Sequence, residues 1–156
     1  MIDIVKFNEK PFDLGFKKIH IISEFKIVTG GRSLEDNRKL IEKKMDIFLS
    51  PEENTNKNSV KFLDTGLNHV ICKIAAEKNI AIGFSFSSLL NSDNTALTLA
   101  KFRYNVKLCR KYKTKIIIGS FAKNMFEMRA PKDLIAFGRV IGLDEKEAKE
   151  ALNFRK

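Results

Sequence analysis

The residues able to do chemistry are few and mostly of one kind. From Asn94 to Phe126 no acidic residue occurs, and the same window holds Lys101, Arg103, Lys107, Arg110, Lys111, Lys113, Lys115 and Lys123. Arg103, Lys107 and Arg110 are spaced i, i+4, i+7, which puts them on one stripe of a helix. A cationic stripe with no balancing acid suits phosphate contact, not bond cleavage. The competing reading is a solvated helix face. Phe121 and Phe126 lie in a loop between basic residues, where an aromatic ring could stack on a base. The chain has thirteen phenylalanines, and core packing is the ordinary use of each.

Catalytic patterns are missing. The two histidines, His20 and His69, are not arranged as a metal pair. His20 falls in a strand pattern and reads as structural. His69 sits one helical turn past Asp64–Thr65 and reads as a packing or hydrogen-bonding residue. There is no Gly-rich phosphate loop. Gly30-Gly31 follows a strand and could offer amides to a phosphate, but a tight βα turn is the favoured reading. No nucleophile elbow or triad is visible. Near the ends of the strands stand serine, threonine and glycine, not the carboxylate cluster that metal-assisted hydrolysis needs. The expectation is no catalytic residue and no metal ligand on this chain.

The elements that must position these residues alternate. MIDIVKF, KIHIIS (18–23), FKIVT (25–29) and DIFL (46–49) read as strands. Ser33, with Asp36 three residues on, marks a helix start in capping-box position, and that helix should end near Lys43–Lys44. Residues 52–59 are polar and read as a surface loop. Asp64 to Leu90 reads as helix, turn and buried strand, with Leu67, Val70, Ile71 and Ile74 on the buried helix face. Gly83 is unusual inside that strand unless something approaches closely. A long helix from Asn94 to about Tyr112 should bury Leu97, Ala100, Tyr104 and Leu108 on one side, with Phe102, Val106 and Cys109 nearby. KIIIG (115–119) is another buried strand. Pro131 fits the first turn of a helix and Gly142 its C-terminal end. Asp144 with Glu147 marks a last helix, with Leu143 and Ala148 as a hydrophobic staple. Strands alternating with helices predict an α/β fold with a parallel sheet.

The whole chain, 156 residues with 44% hydrophobic and 31% charged, is sized for a single globular domain, 1–156. The formal net charge of +10 points to a polyanionic partner. No apolar run approaches the roughly 20 residues of a membrane span, and the N-terminal stretch has no signal-peptide pattern. Cys72 and Cys109 have neither disulfide-framework nor metal-site spacing. A cytoplasmic location without membrane contact is the expectation.

Three blocks, in order, carry a resemblance. They are GGRSLEDNRKLIEKKMDIFLSPEE, DTGLNHVICKIAAEKNIAIGFSFSSLL and RYNVKLCRKYKTKIIIGSFAKNMFEMRAPKDLIAFGRVIGL. Together they span about 26–152, with Asn37-Arg38, Asp46, Met128-Arg129-Ala130-Pro131 and Asp133-Leu134 in the family positions. The chain resembles ribonuclease P protein component 3, the archaeal relative of the thirty-kilodalton eukaryotic subunit. That resemblance implies a TIM-barrel-like fold, of the polymerase and histidinol phosphatase type. Family members are usually longer, mostly at the N-terminus, so an N-terminally shortened or incomplete barrel is expected. It further implies a protein subunit of a ribonucleoprotein endonuclease that removes the 5′ leader from precursor tRNA. The RNA and its magnesium would carry catalysis, with no cofactor on this chain. The implied partners are ribonuclease P RNA, component 2 and, through the complex, precursor tRNA. By analogy with the matching blocks, Arg32, Arg38, His69, Lys123 and Arg129 become candidate RNA contacts, beside Arg103, Lys107, Arg110 and Lys111 of the stripe and its neighbour. Arg129 has a structural alternative, an ion pair with Asp133.

Two positions depart from the family. Gly83 and Ser120-Phe121-Ala122-Lys123 stand where members often carry carboxylates, which argues against an independent nuclease. The alternatives are a metal-dependent phosphoesterase sharing the barrel and a generic basic RNA-binding scaffold.

Overall fold

The computed structural model describes residues 1–53 and 63–154. The strands are β1 (Ile2–Val5), β2 (Lys18–Ile21), β3 (Ile27–Thr29), β4 (Ile47–Leu49), β5 (Ala81–Ser85) and β6 (Ile116–Gly119). The helices are α1 (Leu34–Ile41), α2 (His69–Glu77), α3 (Phe86–Leu90), α4 (Thr95–Lys111), α5 (Pro131–Val140) and α6 (Glu145–Ala151). Short 3-10 turns occupy Ile22–Glu24 and Met125–Glu127. Strands β3-β4-β5-β6 form one parallel sheet in that order, and β1 and β2 form a second parallel pair. The chain is therefore α/β with parallel strands, as the alternation predicts.

Side-chain alternation along the strands divides the core in two. Phe48, Ile82, Phe84 and Ile118 face the helices and pack with Ile41, Ile71, Phe102, Val106, Leu134 and Ala148. Ile47, Leu49, Ala81 and Ile117 face the other way, into a cluster completed by Ile4, Phe25, Phe121 and Phe154. Gly83 belongs to this second face. A Cβ there would lie 3.0 Å from both Ile47 Cγ2 and Leu49 Cδ1, which accounts for a glycine inside a strand.

The β1–β2 pair joins the larger sheet at β6. The Asp3 carboxylate accepts the Ser120 amide at 2.7 Å and the Ser120 hydroxyl at 2.5 Å. The Lys6 amide donates to Ala122 C=O at 2.8 Å. Burial raises the Asp3 carboxyl above its ordinary range, and the bonds from Ser120 and Ile4 act against that rise.

Several local expectations change. The helix expected from Asp64 begins at His69, because Gly66 holds a φ of 71° and Asn68 caps the first turn, accepting the Ile71 amide at 2.9 Å. Leu67 is buried but precedes the helix. Helix α1 ends at Ile41, short of the lysine pair. In α4 the buried face is rotated: Phe102, Asn105, Val106 and Cys109 point inward, whereas Tyr104 is exposed. Residues 86–90 form a short helix. Phe121 is wholly buried in the inner cluster, with a left-handed φ of 44° that turns it there. Ser33, Pro131, Gly142 and the Asp144–Glu147 capping box take the roles read from sequence. Most of the polar loop, residues 54–59, lies outside the described residues.

Candidate nucleic-acid interface

Helix α4 carries the cationic stripe. Asn94 caps it, its Oδ1 accepting the Leu97 amide at 3.0 Å. Arg103, Lys107 and Arg110 are all exposed on one side, as their spacing requires. The two arginines also have intramolecular work. Arg103 Nε donates to Val140 C=O at 2.8 Å, at the last residue of α5. Arg110 Nη2 donates to Gly142 C=O at 2.9 Å and to Glu147 at 2.7 Å, while its Nε reaches Glu147 at 3.0 Å. Carbonyls at a helix C-terminus lack intrahelical donors and carry partial negative charge, so guanidinium groups suit them. Arg110 holds the Glu147 carboxyl below its ordinary range. Lys107, between the two arginines on the stripe, is exposed and makes none of these bonds.

Lys111 and His69 meet around one ring. Lys111 Nζ lies 5.6 Å and Lys73 Nζ 5.9 Å from the Tyr112 ring centroid, and the His69 ring lies 6.5 Å away. His69 is exposed at the first position of α2, and Lys73 follows one turn later. Sequence alone placed these residues on separate elements; the packing of α2 on α4 brings them together.

Of the remaining candidates, Arg32, Lys123 and Arg129 follow the C-terminal ends of β3 and β6, and Arg38 lies within α1. Arg32 follows β3 and is exposed; Arg38 is exposed on α1. Gly30-Gly31 does not form a phosphate cradle, because both amides are bonded within the chain. Gly30 N–H donates to Leu49 C=O at 2.9 Å, and Gly31 N–H to Asn37 Oδ1 at 2.6 Å. Asn37 Nδ2 in turn donates to Pro51 C=O at 3.0 Å and Gly66 C=O at 2.8 Å, tying three loops together. Lys123 follows β6 and its side chain is exposed. Arg129 does not pair with Asp133. Its Nη1 donates to the carbonyls of Phe126 at 3.0 Å and Met128 at 2.7 Å, and its guanidinium lies over Phe86 at 5.3 Å.

Carboxylates do reach this end, which sequence reasoning missed. Glu127 is buried and accepts from Ser87 Oγ at 2.6 Å, Asn91 Nδ2 at 3.1 Å and the Lys123 amide at 2.9 Å. Burial works to raise its carboxyl, but those bonds outweigh it and hold Glu127 below the ordinary range. Glu52 is buried too, and burial pushes its carboxyl up to about 8. Lys101 Nζ approaches the Glu52 backbone carbonyl at 3.4 Å, and burial lowers the Lys101 ammonium. A cavity of about 340 Å³ lies elsewhere, between the end of α4 and α6, lined by Arg110, Lys113, Lys115 and Glu147. Among the described residues, no three of His, Cys, Asp and Glu gather as a metal site would require. What the surface offers is cations on α4 and α2, and further cations at the strand ends.

Residues 36–155 match the family model described as RNase P subunit p30. Ribonuclease P protein component 3 of Thermococcus gammatolerans is 32% identical over 155 residues, covering 98% of this chain and 69% of the relative. The protein of the same name from Methanosarcina acetivorans is 30% identical over 154 residues, covering 97% of this chain and 61% of its own. Among solved structures, a chain in the cryo-EM structure of archaeal Ribonuclease P with mature tRNA superposes with a TM-score of 0.66 at 32% identity. That match covers 81% of this chain and 52% of the solved one. The chain thus spans between about half and about two thirds of the length of these relatives.

Proposed function

The chain belongs to the RNase P subunit p30 family, and on that premise we propose that it is a protein subunit of ribonuclease P. In this reading it binds the ribonuclease P RNA and supports removal of the 5′ leader from precursor tRNA. The observation that carries the proposal is the match, at 32% identity across 81% of the chain, to a chain of an archaeal ribonuclease P solved with tRNA. The charge distribution agrees with it: a polyanion is the natural partner of a surface whose acid-free window holds most of the net charge.

The division of labour follows from the residues. Catalysis rests with the RNA and its magnesium ions, and this chain contributes cations and a rigid support. Lys107 and Lys111, with His69 alongside, contact phosphates from the helical side. Arg32 and Lys123 do so from the strand ends, and Arg38 from α1. Arg103, Arg110 and Arg129 hold the α5–α6 turn and the loop after β6 in shape, and meet RNA only with the donors left over. The protein partner is component 2, and the complex works in the cytoplasm. We read the two sheets, linked through Asp3 and sharing one apolar cluster, as parts of a single TIM-barrel-like domain with an incomplete barrel; the parallel strand order supports that reading.

Reconstitution tests this reading. The chain is combined with a ribonuclease P RNA and component 2 in magnesium, and leader removal from precursor tRNA is scored against the same mixture without it. The expected result is a gain in cleavage at limiting magnesium. No gain, together with no binding to the RNA, would overturn the assignment. Cleavage by the chain alone would favour a metal-dependent nuclease instead.

A further inference from the structure

The loop after β6 is tied down everywhere except at its aromatic tip. Asn124 caps the turn at Met125–Glu127, its Oδ1 accepting the amides of Phe126 at 3.0 Å and Glu127 at 3.3 Å. Glu127 anchors the loop inward through Ser87 and Asn91. Arg129 clasps the carbonyls of Phe126 and Met128 and stacks on Phe86. Within these restraints Phe126 stands 78% exposed. Phe12, 46% exposed on the loop after β1, meets it edge-on with centroids 6.2 Å apart. A T-shaped contact covers at most one face of either ring, so a face of Phe126 stays open.

Burying a phenylalanine side chain usually stabilises a fold, and this loop holds one in solvent instead. Two rings are far too little apolar area for the core of a stable protein interface, which needs roughly 800 Å² per partner. Stacking a base needs only one ring face and nearby cations. Lys123 lies three residues before Phe126, Arg129 three after, and Lys132 six after; the one acid among them, Glu127, is turned inward. The charged residues within three positions of Phe12 are Glu9, Lys10 and Asp13, so the more cationic flank of the pair is that of Phe126.

We infer that Phe126, braced by Phe12, is a stacking platform for an unpaired nucleotide of an RNA, with Lys123 and Lys132 against the adjoining phosphates. The inference rests on the ribonuclease P reading for its class of partner and adds to it a base contact that its phosphate contacts do not supply.

The chain contains no tryptophan, so Phe126→Trp introduces a single indole at the site. The full chain carrying that change is titrated with single-stranded twelve-nucleotide oligoadenylate, with a duplex RNA of equal length and with inorganic polyphosphate. Quenching by the oligoadenylate, and by neither of the other two, is expected. Phe126→Ala should bind the oligoadenylate about tenfold more weakly than wild type, with an unaltered salt slope because no charge is removed. Equal affinity of wild type and Phe126→Ala would overturn the platform, as would quenching by polyphosphate to the same extent. An indole that responds to component 2 and not to RNA would overturn it in favour of a protein contact. If wild type binds ribonuclease P RNA while Phe126→Ala is unaffected, only the platform falls. If wild type binds no RNA, the functional reading falls with it.

Discussion

Arg110 on α4 grips Glu147 on α6 through two nitrogens, at 3.0 and 2.7 Å, and with the second nitrogen also reaches the carbonyl of Gly142. One side chain thus joins the long helix to the turn between the last two. The pair is about half exposed, so its contribution is modest, of the order of 0.5–1 kcal/mol. Arg110→Ala and Glu147→Gln should each lower the urea midpoint slightly, and the double variant should lose less than their sum. If Arg110 chiefly serves RNA instead, Glu147→Gln would free its guanidinium and tighten RNA binding. Tighter binding with unchanged stability would contradict the clamp.

Lys107 separates from its neighbours in this respect. It lies on the same stripe but, among the described residues, holds no carbonyl or carboxylate, and Lys111 lies against the Tyr112 ring. Replacing both with alanine should reduce the slope of log affinity against log salt by about two units at most, with little change in thermal stability. Filter binding to ribonuclease P RNA between 50 and 300 mM salt, values chosen as roughly a physiological bracket, reads the slope directly. An unchanged slope would remove both residues from the interface.

Asp3 is the hinge pin of the two sheets. Its carboxylate accepts from the Ser120 amide, the Ser120 hydroxyl and the Ile4 amide, all in a buried setting. Asp3→Ala strands those donors without partners, a loss on the order of 2–4 kcal/mol. Chemical denaturation should show that fall, and amide exchange should show β1 opening before β4 and β5. A loss below about 0.5 kcal/mol would mean that the β1–β2 pair is held mainly by its apolar side chains.

How much of this was legible beforehand varies with the range of the interaction. Caps at Ser33, Asp144 and Pro131 are local, three or four residues deep, and sequence pattern reaches that far. The period of the strands was legible, but which of their two faces each helix would cover was not. The α4 face was misread because a buried Asn105 and Lys101 break its apolar pattern. Asn105 Nδ2 donates to Thr65 C=O, a partner 40 residues away. The link between Asp3 and Ser120 spans 117 residues, and the ring of cations around Tyr112 comes from two helices. The cationic stripe was read correctly as a surface, yet two of its arginines turned out to be holding carbonyls. The two loop phenylalanines looked alike in sequence. Backbone direction sends Phe121 into the core and leaves Phe126 outside.

Glu52 links stability to pH. Burial pushes its carboxyl from an ordinary 4.5 up to about 8, so between those values the folded chain holds a proton that the unfolded chain has released. Stability should therefore fall as pH rises from about 4.5 to about 8 and level off above, since the native state binds the extra proton throughout that window. Glu52→Gln keeps the shape and the backbone carbonyl that Lys101 approaches, and removes the titration. The variant should be more stable than wild type at pH 8.5 by about 1 kcal/mol or more, and the two should converge near pH 5. Urea midpoints at both pH values give the comparison. A gap that is the same at pH 5 and pH 8.5 would show that Glu52 does not titrate differently in the folded chain, and would point instead to a packing effect of the amide.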